Sequence, residues 1–187
     1  MDERFRPHLL NGERLMWTGQ GEPKLLAPVD SFLVPFSIVW AGFAFYWEYM
    51  AVTKWSRSGA EGFIFPMFGL VFVVMGLYIT IGRFPYKEWR RRQTFYALTD
   101  RRVLILYRQQ VQSLSLHALP ALELSVDGAT GIGSLRFGQA PFPGPLYANT
   151  GLEYLAPKYN VPAFTNVRNA RQVYALVDQA RLQALVR

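Results

Sequence analysis

The run of apolar and polar positions divides the chain into unlike stretches. Residues 31–52 hold one charge, Glu48, and residues 62–82 hold none. As helices rising about 1.5 Å per residue, both are long enough to cross a hydrocarbon core of about 30 Å. Pro35 falls in the first turn of the first helix, where a missing N–H costs little. The polar stretch 53–61 predicts a short loop, so the two spans form an antiparallel hairpin. Phe45, Tyr46, Trp47 and Tyr49 gather at the far end of the first helix, as at a membrane–water interface. Ser37, Ala41, Ala44 and Glu48 share one helical face, and Gly62, Gly69 and Gly76 recur every seven residues. Such small stripes let two helix backbones approach closely.

Past residue 93 the period shortens to that of strands. Segments 94–98 and 102–108 flank the polar turn Thr99, Asp100, Arg101 and predict a β-hairpin. A strand over 111–119 follows. Leu122, Leu124 and Val126 then alternate with Glu123, Ser125 and Asp127, the pattern of a half-buried strand. Residues 133–137 continue the series, 138–151 read as a loop rich in proline and glycine, and 152–156 and 161–164 are expected as short strands. Val173, Leu176, Val177, Ala180 and Ala184 form the apolar stripe of a closing helix. Asn169 as N-cap with Gln172 three residues on suggests a capping box. Before the spans, residues 1–30 are polar with scattered apolar anchors; Gly12 to Gly19 predicts a short strand, and the remainder a partly ordered tail. The predicted fold class is α+β: a two-helix transmembrane hairpin, then a curved sheet of short strands covered by a C-terminal helix.

Composition sharpens this in two places. Hydrophobic content of 51% with 16% aromatics exceeds that of an ordinary soluble domain, and the excess lies in 31–82. The chain has no cysteine, which excludes disulfides, thiol catalysis and Cys-ligated metals. Five acidic residues interrupt the first 30, so no cleavable signal peptide is expected.

The net charge of +7 is local: residues 1–30 carry −1, residues 31–82 carry 0, residues 83–93 carry +4 and residues 94–187 carry +4. The flank after the second span holds five basic side chains, the connecting loop only Lys54 and Arg57. By the positive-inside rule both termini are cytoplasmic and the loop is outside. The expected organisation is an N-terminal segment 1–30, a transmembrane hairpin 31–82, a basic juxtamembrane linker 83–93 and a β-rich domain 94–187.

Candidate chemistry is sparse. Gly128, Gly131 and Gly133 precede a strand and lack the Lys-Ser/Thr of a phosphate loop, so they predict a tight turn. His8 and His117 stand far apart without carboxylates at metal or triad spacing. No catalytic residue, metal ligand or cofactor site is expected, and no nucleic-acid partner. Two basic sets are candidates for anionic-lipid contact: Arg83, Lys87, Arg90, Arg91 and Arg92 beside the second span, and Arg101 and Arg102 in the first hairpin turn.

The order of motifs resembles the bacterial pleckstrin-homology-like domain family. Tyr96, Leu98, Thr99 and Arg102 meet its aromatic-x-Leu-Thr-x-x-Arg hairpin; Gly131, Gly133, Leu135 and Phe137 meet its glycine-led strand; Phe164, Val167 and Asn169 precede the terminal helix. Gly12 to Gly19 looks like the segment before the two-helix insertion of membrane-anchored members. The resemblance implies seven strands in two near-orthogonal sheets with a capping helix, and a bacterial inner-membrane location. The expected function is a membrane-tethered binding or assembly module without catalytic activity, partnered by the bilayer and by proteins or copies of itself. The alternatives are sensing of anionic headgroups and a small oligomeric transporter component built around Glu48.

Overall fold

The structure is a computed structural model that describes residues 2–24, 26–27, 29–54, 62, 64–142, 144–155 and 160–186. It is a mixed α+β chain in two compact units. One comprises Met1–Leu25, Glu88–Pro145 and Ala156–Arg187; the other comprises Leu26–Lys87 and Leu146–Leu155.

The first unit holds two antiparallel sheets. Strands β1 (Leu15–Gln20), β2 (Thr94–Thr99), β3 (Arg102–Tyr107) and β4 (Gln110–Ser115) form one, in that order. Strands β5 (Leu122–Val126), β6 (Gly133–Phe137) and β7 (Ala163–Val167) form the other. The alternation expected in β5 is only partial: Leu122 and Val126 pack against the core, whereas Leu124, opposite Leu135, is exposed. A C-terminal helix at Ala170–Val186 packs against β5 and β6. It buries Val173, Val177, Ala180 and Ala184 in one core with Tyr96, Leu98 and Val103 of the first sheet and Leu135, Phe137, Phe164 and Val167 of the second. Its first turn closes on the Asn169 carbonyl, which accepts the Gln172 N–H at 2.8 Å, and Asn169 itself sits at φ 50°. The helix start is thus set by a left-handed backbone that Asn tolerates, not by the expected side-chain capping box.

Strand β2 is buried on both faces. Tyr96 and Leu98 face the main core, while Phe95 and Ala97 pack under Phe5, Leu104 and Leu106. Phe5 is fully buried between two short 3-10 turns, Asp2–Arg4 and Arg6–His8. The tail expected here is therefore ordered: one aromatic ring covers the outer face of a sheet. Two glycines of the 128–133 motif have different reasons. Gly131 occupies a turn at φ 67°, whereas a Cβ on Gly133 would meet the Ser125 carbonyl at 2.5 Å and Ala170 Cβ at 2.7 Å.

The second unit is built on α1 (Asp30–Lys54) and α2 (Ile64–Leu77). They run antiparallel: Ala41 adjoins Gly76, Glu48 adjoins Gly69, and the Thr80 hydroxyl donates to the Ser37 carbonyl at 3.2 Å. The connection expected at 53–61 falls largely outside the described residues. After α2 the backbone widens into a π turn at Tyr78–Gly82 and continues as α3 (Arg83–Arg92). The widening precedes Pro85, which lacks an N–H and crowds the carbonyl four residues earlier. The basic stretch expected as a linker is thus helix, and Pro66–Arg92 is continuous over 27 residues.

The strand expected at 152–156 is absent over its described residues. Leu152–Tyr154 is a 3-10 turn entered through Gly151 at φ 90°. Its apolar side chains serve helix docking instead of a sheet: Tyr154 packs edge-on against Tyr86, with ring centroids 5.5 Å apart. A short helical turn, α4, occupies Gly144–Tyr147.

Candidate functional site

In α1 the residues that face inward are Asp30, Ser37, Ala41, Ala44 and Ala51, small or polar. Those that face outward include Phe32, Phe36, Val39, Phe43, Tyr46 and Tyr49. Helix α2 repeats the pattern with Met67, Phe68, Leu70, Val71 and Val74 exposed. In water this arrangement is inside out, because large apolar side chains lose most by exposure. Among the described residues one helix, Pro66–Arg92, is long and apolar enough to cross a membrane, and only 22% of its apolar window is buried. Helix α1 has the length but ends in Tyr46, Trp47, Glu48 and Tyr49, which dilute its hydropathy.

At one end of the helix pair lies a buried charged cluster. Arg83 is fully buried and paired with Asp30, itself buried. Its guanidinium also donates to the carbonyls of Thr150 at 3.0 Å and Ile79 at 2.7 Å. Lys87 is buried too and donates to the Asn149 carbonyl at 2.6 Å. Burial pushes the nearby Glu153 carboxyl above its ordinary range, against its own N–H, the Gly151 N–H and the Lys87 charge, which pull it down. Segment 146–155 thus clasps the two cations. Arg83 and Lys87, expected at lipid headgroups, face protein instead, because paired acids and backbone carbonyls offset the cost of burying them.

The first hairpin turn is likewise occupied. Arg102 binds Glu13 through two nitrogens, at 2.8 and 2.9 Å, and donates to the His8 carbonyl at 2.7 Å. Thr99 Oγ1 lies 2.7 Å from Glu13 Oε1 and accepts the Arg102 N–H at 2.9 Å. Burial alone would raise the Glu13 carboxyl; the Arg102 guanidinium, the Leu10 N–H and the Thr99 hydroxyl outweigh it and hold Glu13 at about 2. Arg102 therefore locks the N-terminal segment to the β2–β3 turn. Arg101 is exposed.

The remaining basic residues gather at the other end of β2. Arg90 stacks over the Tyr107 ring at 4.3 Å, and Arg108 lies 5.9 Å from the Trp89 ring. Arg92, with 72% of its side chain exposed, reaches Glu88 at 2.8 Å, and Arg91 is held by Glu88 and the Gly21 carbonyl. Arg108 sits in the β3–β4 turn at φ 53°, its N–H donating to the Gln93 carbonyl at 3.2 Å. Its place beside Trp89 was not visible in the sequence. The signal lay in the pairing register: once β2 and β3 pair antiparallel, residue 108 must return to the end of α3.

A cleft of about 410 Å³ opens between β1 and the C-terminal helix, with Trp17, Val173 and Leu176 in its wall. Its cations are committed, Arg168 to Glu22 at 2.7 Å and Arg91 to Glu88 at 2.6 Å. Among the described residues no group of three or more His, Asp or Glu is placed to hold a metal ion. Compared with known proteins, the chain matches no family model, no curated protein and no solved structure.

Proposed function

We propose that the helix pair is a membrane hairpin, and that it tethers a cytoplasmic, pleckstrin-homology-like module that binds or assembles with proteins and does no chemistry of its own. One observation carries this reading: α1 and α2 bury alanine, serine and glycine contacts and turn their phenylalanine, valine and leucine side chains outward. Lipid is the solvent in which that distribution is favourable, since small residues let the helices meet and large ones face acyl chains. The resemblance to the bacterial pleckstrin-homology-like family is supported by the four-strand and three-strand antiparallel sheets with a helix after the last strand. The location that follows is a bacterial inner membrane with both termini inside.

The absence of cysteine makes the test direct. Single cysteines at Ser56, in the stretch 53–61 expected from sequence to link the two spans, and at Gln112, on β4, are exposed in cells to a membrane-impermeant maleimide. Ser56→Cys is expected to label in intact cells and Gln112→Cys only after the membrane is opened. Labelling of Gln112→Cys in intact cells, or release of the chain by alkaline carbonate, overturns the proposal.

A further inference from the structure

The sheet unit carries sixteen basic and nine acidic side chains, while the helix unit carries four of each, so the whole excess of +7 lies on the sheet unit. Most of its candidate cations are committed to protein partners. We infer that the surface formed by Trp89, Arg90, Arg92, Tyr107 and Arg108 binds anionic phospholipid headgroups of the membrane in which the helices sit. This rests on the membrane reading above.

Three observations carry it. First, the Pro66–Arg92 helix of 27 residues is about 40 Å long, close to the 40–45 Å of a bilayer with its headgroups. Trp89 to Arg92 form its last turn and so fall at headgroup depth. Second, β3 ends at Tyr107, opposite Thr94, which brings Arg108 back to this same end. The Arg101 turn lies at the other end of the six-residue β2, about 17 Å away. Third, the chemistry suits an interface. Aromatic rings sit under two guanidiniums, and Arg108 pairs with no carboxylate among the described residues. The planar guanidinium matches phosphate oxygens in geometry, and tryptophan and tyrosine favour the boundary layer. The partner is thus a phosphatidylglycerol-like membrane surface.

The test uses the full chain, whose five tryptophans are energy-transfer donors. It is reconstituted into phosphatidylcholine vesicles containing a trace of dansyl-phosphatidylglycerol or dansyl-phosphatidylcholine. Transfer to the anionic probe is expected to exceed transfer to the neutral probe at low salt, and the ratio to fall as salt is added. Each cation removed should cost up to about fivefold in headgroup affinity. Arg90→Gln with Arg108→Asn, the latter keeping the left-handed turn, should bring the ratio close to one. Arg108→Lys should retain most of it, and Arg101→Gln all of it. Equal transfer to both probes from the unaltered chain overturns this inference and leaves the membrane reading standing. So does a ratio that responds to Arg101→Gln but not to the double variant. Transfer to neither probe removes the membrane reading and this inference together.

Discussion

At the scale of residues, the chain uses arginine for two opposite purposes. Arg83 and Arg102 are structural: each binds a buried carboxylate and backbone carbonyls. Sequence showed them only as members of basic clusters, because their partners are remote. Asp30 is 53 positions from Arg83 and Glu13 is 89 from Arg102. Glu13→Gln is expected to destabilise the sheet unit by about 2–4 kcal/mol, since it leaves Arg102 half-buried without its charge partner. The pH dependence has a definite sign. Glu13 is held at about 2 in the fold against an ordinary 4.5. Its contribution is therefore complete above about 4.5 and is lost as pH falls toward 2. Denaturant melts followed by tryptophan fluorescence should show the unaltered chain weakening across that window, and Glu13→Gln weakening less. Glu153 has the reverse sign. Burial raises its carboxyl, so its contribution is greatest at low pH and fades as pH rises through the raised value.

At the scale of elements, most strands were legible from short runs of large apolar residues bounded by polar turns. Strand β6 shows one-sided burial, with Gly133, Leu135 and Phe137 inside, whereas β2 is buried on both faces and was legible from its apolar content and the polar turn after it. The misread segment, 152–156, has the apolar content of a strand but spends it on Tyr86 and the helix base. Hydropathy along the chain does not tell which neighbour an apolar residue meets. Helix α1 posed the converse problem: its length was plain, but its aromatic and acidic end lowers its hydropathy. Glycines give the sharpest test at this scale. Gly133→Ala should cost about 2–3 kcal/mol, because its methyl group would strike the β5 backbone and the start of the C-terminal helix. Gly76→Leu should loosen the α1–α2 contact, since a Cβ there comes within 3.3 Å of the Ala41 backbone. Gly42→Ala, with nothing within 4 Å, should leave stability unchanged. Thermal melts of the three variants in one detergent decide the order.

For the whole molecule, charge and apolar surface are separated along the chain. The helix unit has no net charge and an apolar exterior; the sheet unit carries the full positive excess over an ordinary buried core. That separation was the most legible feature of the sequence, since it needs only counting. Which cations face outward was not legible, since it depends on strand register and on the docking of segment 146–155. The proposed lipid environment of the helices is tested most directly by nitroxides at Val39 and Val71, both outward-facing, in the full chain in bilayers. Relaxation by oxygen is expected to be strong and relaxation by a water-soluble nickel chelate weak at both sites. Strong nickel relaxation with weak oxygen relaxation would contradict a membrane hairpin.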